Sequence, residues 1–171
     1  MSRKYLNDRW CVRCGKTSPC PYIKKNVDLL IPKGSEKPSI LDIGCGNGRN
    51  MNFLKEFARE CKGVDMSPSC PNSVSTILGH DLLPATRRGW NLILANYVFM
   101  FLNAKERKQL VSEIKRVASP NAIIVVELYA AKDSEATTEE EISKMQEQLF
   151  KQIGWTKIKY SKARFIARKP Q

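Results

Sequence analysis

The 171-residue chain has no run approaching about 18 uninterrupted apolar residues, which excludes a membrane-spanning helix within it. Its first residues, MSRKYLNDRWC, lack the apolar core of a secretory signal, so a cytoplasmic setting is expected. The six cysteines are then expected to be reduced thiols. A second closely spaced cysteine pair is missing as well. Cys11, Cys14 and Cys20 follow a C-x2-C-x5-C spacing, and the fourth ligand of a structural zinc would have to be Cys70 or the lone histidine, His80. No metal is expected. Acids are absent from residues 151–171, which carry seven Lys/Arg, whereas residues 1–40 carry nine against three acids and the stretch between is nearly neutral. A formal charge of +12 concentrated at both ends would draw a polyanion such as RNA; it also suits a chain that is simply well solvated.

Residues 1–25 show no apolar periodicity over their first 20 positions and read as a basic, cysteine-containing arm ahead of a single domain at 26–171. Ile23, Val27 and Leu30 put one apolar face on a short helix at 21–31. Near-continuous apolar runs then recur at 39–43, 61–65, 74–79, 91–96 and 122–128. Such runs suit parallel strands covered on both faces. Between them, Met51, Leu54 and Ala58 predict a helix at 49–60, and Leu110, Ile114 and Val117 one at 104–118, ended by Ser119-Pro120. A further helix over about 138–152 takes Thr137 or Thr138 as N-cap, acids 139–141 in its first turn and Gly154 as its stop. Two closing runs, WTKIKYS and ARFIARK, predict an antiparallel hairpin. The fold class expected is therefore α/β: a doubly wound, mostly parallel seven-stranded sheet with a C-terminal antiparallel hairpin. About nine residues separate Asp65 from the third strand, too few for a usual crossover helix, so one sheet face there should be bare or covered by the arm.

The glycine turn LDIGCGNGRN, at 41–50, lies between a strand and a helix, where a ligand can approach the backbone closely. The dinucleotide fingerprint G-x-G-x-x-G/A is not met: its third small residue falls on Arg49 in one frame and on Met51 in the other. The spacing present is G-x-G-x-G, with Asp42 two residues before the first glycine.

ILDIGCGNGRN resembles motif I of the class I, Rossmann-like, S-adenosylmethionine-dependent methyltransferases. The resemblance implies S-adenosyl-L-methionine as cofactor, with Asp42 near its methionine amino end and Gly44, Cys45 and Gly46 under its ribose and amino-acid portion. An anionic Asp42 suits a ligand bearing an ammonium and a sulfonium, and would repel a pyrophosphate. Asp65, ending the second strand beside Met66, can accept from both hydroxyls of a ribose. By the resemblance, Asp81 and Leu82 would meet the adenine, and Asn96 and Tyr97 would line the mouth at which the methyl points. GCGNGRN, NYVFMFLNAK and ARFIARK are also similar to the small tellurite-resistance and thiopurine-type branch, which methylates soft nucleophiles.

Two other motifs are set aside. Pro19-Cys20 matches the nucleophile pair of cytosine-C5 methyltransferases, but there the pair follows the fourth strand, and here it precedes the first. ANYVF lacks the Pro-Pro-aromatic pattern that holds a planar amino group, which disfavours adenine-N6 and glutamine-N5 transfer. Tyr5, Trp10 and Tyr22, among the arm's cations, suit either base stacking or cover for a bare sheet face. The function expected is methyl transfer from S-adenosylmethionine to an unidentified acceptor, either a small soft nucleophile or RNA and its associated partners. A non-catalytic cofactor-binding subunit that docks a catalytic partner is the alternative. No catalytic base is assigned, and Asn96, Tyr97 and the arm aromatics are where one would be sought.

Overall fold

A computed structural model describes residues 18–66, 72–130 and 135–171. Cys11, Cys14 and Cys70 lie outside these residues, as do Tyr5 and Trp10. Seven strands form one sheet: β1 (Ser39–Ile43), β2 (Glu60–Asp65), β3 (Ser73–Ser75), β4 (Trp90–Asn96), β5 (Ala118–Glu127), β6 (Thr156–Ser161) and β7 (Arg164–Arg168). Their order is β3-β2-β1-β4-β5-β7-β6. The first five pair in parallel, and β7 runs antiparallel to both β5 and β6. The expected doubly wound sheet with its hairpin is what forms. The order in which strands are added reverses between β1 and β4, so the C-terminal ends of these two parallel strands flank a switch point, where ligands of such sheets bind.

Alternate residues of each central strand divide the core in two. Leu41, Ile43, Ile93, Ala95, Ile124 and Val126 face α4 (Ala104–Val117) and α5 (Glu139–Ile153), whose buried residues include Ile114, Leu110, Leu149 and Ile142. Ile40, Leu92, Leu94, Ile123 and Val125 face the other layer, with Cys20, Ile23, Leu30 and Leu54. Each fully buried aliphatic side chain contributes roughly 1.5–3 kcal/mol. Both long helices are capped as their sequences direct. Thr138 and Glu141 form a capping box at the start of α5, and Gly154 ends it at φ 65°.

Four elements differ from expectation. The helix at 21–31 is two short ones, α1 (Pro21–Lys25) and α2 (Val27–Leu30), because Asn26 leaves helical geometry and its side-chain amide donates to Tyr22 O at 2.7 Å. The helix at 49–60 stops early, as α3 (Arg49–Leu54), and a turn follows in which Phe57 N–H donates to Leu54 O. The third strand keeps only Ser73–Ser75; the Asp81 carboxylate accepts from Ile77 N–H at 2.6 Å and folds 77–81 into a turn. Strand β5 begins at Ala118, directly after α4, and a bulge with Asn121 at φ 59° resets its register against β4 between Trp90 and Leu92.

At the short crossover the sheet edge is open among the described residues. Val74 is 42% exposed, and a cleft of about 540 Å³ lined by Lys55, Arg59, Cys61, Lys62 and Val74 lies beside it. The arm's described end packs elsewhere, with Cys20 and Ile23 buried over β4 and β5. No described helix is long and apolar enough to cross a membrane.

Candidate active site

The turn after β1 is built from backbone. Gly44 and Cys45 N–H both donate to Val64 O, at 2.7 and 3.1 Å. Gly44 has φ 71°, and a Cβ there would overlap Val98 Cγ2, so its missing side chain makes room for the protein's own packing. Gly46 has φ 52°, and a Cβ there would meet no atom within 4 Å, which leaves that backbone approachable by a ligand. The sequence reading overlooked Gly63 on β2. A Cβ on it would sit 2.6 Å from both Cys45 Sγ and Met51 Sδ, so Gly63 lets the turn and α3 lie flat on the sheet.

Asp42 shares a face of β1 with Ile40 and is 1% exposed. Its Oδ2 has no hydrogen-bond partner. Burial raises its pKa to about 7, and the Asp65 carboxylate pushes in the same direction, against Arg49 and a hydrogen bond from Asn50. Asp65 is partly exposed, and its Oδ2 accepts from Gly46 N–H at 2.9 Å. The structure thus brings Asp42, Asp65 and the glycine turn together. Met66 follows, its carbonyl accepting from Ser75 Oγ. Asp81 is exposed and engaged with Ile77 in its own turn, and the neighbouring Leu82 is 73% exposed.

A second polar group gathers at the C-terminal ends of β4 and β5. Asn96 and Glu127 are register partners, 7% and 6% exposed. Asn96 Nδ2 donates to Glu127 Oε2 at 3.2 Å and to Cys20 Sγ at 3.6 Å. The Cys20 thiol donates to Glu127 Oε2 at 2.8 Å, and Cys20 N–H donates to Asn50 Oδ1 at 2.9 Å. Burial pushes the Cys20 thiol up, and its bond to Glu127 adds to that, so it is held protonated. Tyr97 bends out of β4 at φ 61°, with its N–H donating to Glu127 O at 2.7 Å. A left-handed backbone on a non-glycine residue costs about 1–2 kcal/mol, so the tertiary contacts hold it there. Burial, with Cys20 and Glu127 adding, raises the Tyr97 phenol pKa well above its ordinary value, so it is no phenolate base. Arg164 lies 3.5 Å from Glu127 Oε1 and 5.1 Å from the Tyr22 ring centre.

Cys20 and Glu127 were missed as site residues. Glu127 had a visible signal, being the one acid in the apolar run of β5. Cys20 was set aside because it precedes the first strand, but the fold carries it to the end of the fourth. His80 bonds Glu106 at 2.9 Å on the surface. Among the described residues no group of three metal-ligating side chains forms.

A family profile described as a methyltransferase domain matches residues 18–169, nearly all of the described chain. The chain belongs to this methyltransferase family. The motif I resemblance is borne out, and with it S-adenosylmethionine as the cofactor of the family. The methyltransferase is 26% identical over 117 residues to hemagglutinin 1 of Eikenella corrodens and 27% identical over 121 residues to norajmaline N-methyltransferase of Rauvolfia serpentina. These alignments take in 62% and 61% of the chain but only 37% and 41% of those relatives. Its fold is shared, at 12% identity and a TM-score of 0.70, with the N-methyltransferase NodS of Bradyrhizobium japonicum solved with S-adenosylhomocysteine, 98% of each chain being covered. A TehB-like S-adenosylmethionine-dependent methyltransferase of Corynebacterium glutamicum also shares it, at 19% identity, 86% coverage of each chain and a TM-score of 0.62.

Proposed function

We propose that this methyltransferase binds S-adenosylmethionine across the turn between β1 and α3 and passes its methyl group to an acceptor at the ends of β4 and β5. The carrying observation is Asp42 Oδ2, a buried carboxylate oxygen without a partner beside an approachable glycine backbone. A buried polar atom left unsatisfied costs about 1–3 kcal/mol, and a cationic ligand group relieves it. When bound, the cofactor supplies an electrophilic methyl group on a sulfonium. Asp42 holds the methionine ammonium, while Gly44, Cys45 and Gly46 shape the floor beneath it. Asp65 takes the ribose hydroxyls, with Met66 beside it. Asp81 and Leu82 take the adenine, the exposed leucine lying against the ring. Asn96 and Tyr97 border the point of transfer. The chain's work is then alignment of acceptor and methyl group, which can supply several kcal/mol of the barrier.

Titration calorimetry with S-adenosylhomocysteine tests the cofactor half, and labelled-methyl transfer tests the catalytic half. No heat with S-adenosylhomocysteine would refute the reading. Heat without any methylated product, over acceptors that include RNA and small nucleophiles, would point to the non-catalytic subunit instead. A second acceptor reading, RNA, in a protein we place in the cytoplasm, is favoured by the basic, exposed edge of β6, where Lys157 and Lys159 stand. RNA retention that stays flat between low and moderate salt would exclude it.

A further inference from the structure

Glu127 ends the apolar run of β5 with its carboxylate buried. A buried carboxylate is costly unless each oxygen is satisfied by a good donor. Oε1 has Arg164, at 3.5 Å. Oε2 has the Asn96 amide, at 3.2 Å, and a thiol, at 2.8 Å. A thiol is a weak donor, and Cys20 is fully buried in making this bond. The same Asn96 amide leaves its Oδ1 buried with no partner. The unsatisfied acceptor of this buried cluster is therefore Asn96 Oδ1, next to a carboxylate oxygen that takes one of its bonds from the weak thiol donor. Tyr97, a neutral phenol with its oxygen 4.0 Å from Cys20 Sγ, also shares hydrogen bonds with Glu127 and Cys20.

We propose that the acceptor is a neutral amine whose N–H replaces the Cys20 thiol on Glu127, and that Glu127 collects the proton released by methylation. The proposal rests on the cofactor reading above. The nitrogen lone pair bonds to the methyl carbon as the carbon–sulfur bond breaks, its electron pair going to sulfur. The N–H proton of the resulting ammonium passes to Glu127 Oε2, and the neutral carboxyl returns it to water. A thiolate or a tellurium oxyanion carries no N–H to offer these oxygens, and would leave Asn96 Oδ1 without a donor. The soft-nucleophile expectation is thereby narrowed to nitrogen by the site's need for an N–H donor.

Displacement of the thiol gives a readout that does not depend on finding the natural acceptor. The full chain, saturated with S-adenosylhomocysteine, is treated with iodoacetamide near neutral pH, and Cys20 alkylation is followed by peptide mass spectrometry alone, with aniline (an amine that is uncharged there) or with benzoate. Aniline should speed Cys20 alkylation about tenfold, the worth of one hydrogen bond to a charged group, and benzoate should not. In Glu127→Gln the aniline effect should vanish while S-adenosylhomocysteine binding stays within about twofold of the original, a control that the variant has folded. An unchanged rate with aniline, or the same acceleration with benzoate, overturns the proposal. Transfer of a labelled methyl to a thiol or to tellurite that survives Glu127→Gln overturns it too. If calorimetry finds no S-adenosylhomocysteine binding in the original chain, the cofactor reading falls and takes this one with it. Binding without an aniline effect defeats this one alone.

Discussion

Replacing Asp42 by Asn should stabilise the empty protein and remove its cofactor affinity together. A carboxyl whose pKa moves from 3.8 unfolded to about 7 folded binds its proton more tightly in the native state. Stability from this group is therefore fully present below the unfolded value and is lost as pH rises through the folded one. About three units at roughly 1.4 kcal/mol each put the full cost of ionising Asp42 near ~4 kcal/mol, an upper bound because the surroundings relax. Urea unfolding of Asp42→Asn and the original chain without ligand, from about pH 4 to about pH 8, should show the variant more stable by a margin that opens with pH and levels off above about pH 7. S-adenosylhomocysteine should raise the urea midpoint of the original chain and leave that of the variant unmoved. Its affinity for the original chain should climb as pH approaches about 7 and flatten above, because only the ionised carboxylate attracts the ligand's ammonium. A variant less stable than the original at pH 8, or a margin independent of pH, would refute the reasoning. The latter outcome would mean that Asp42 Oδ2 also has a partner in the native state.

Three further outcomes are expected. Gly63→Ala should cost about 1–3 kcal/mol in urea unfolding and weaken S-adenosylhomocysteine binding, since its Cβ pushes Cys45 and Met51 off β2. Leu94→Ala, at a fully buried position of β4, should cost roughly 2–5 kcal/mol by the same assay, and an effect below that range would mean the layer over β4 can collapse. Thr138→Ala should cost about 1 kcal/mol through loss of the α5 capping box, with S-adenosylhomocysteine affinity measured by calorimetry unchanged.

The sheet was legible because apolar runs buried on both faces leave an unambiguous pattern. The boundaries of α5 were legible because Thr138 and Gly154 act locally, through a side-chain cap and a left-handed residue. Shortening of the third strand was not, since nothing in the run VSTILG announces that Asp81 will claim Ile77's N–H and turn the chain. Asp42, Gly46 and Asp65 could be read from spacing because one turn carries two of them and a neighbouring strand end the third. Cys20 could not. Its meeting with Glu127 depends on where the segment before β1 lies once β5 is in place, across 107 positions of sequence. The Pro-Cys pair was judged by its order along the chain, which carries no information about its approach to Glu127 in the fold.

Strand β7 lies between β5 and β6, although β6 precedes it in the chain. During synthesis the outermost strand is therefore made before the one that seats it. Until residues 164–168 emerge, β5 presents an unpaired edge and β6 has nothing to bind, so a ribosome carrying everything through α5 holds a sheet that cannot close on that side. Arg164, the guanidinium beside Glu127, arrives with that same strand. The Asn96–Glu127 end of the candidate site thus gains its guanidinium only after every other strand of the sheet has been made.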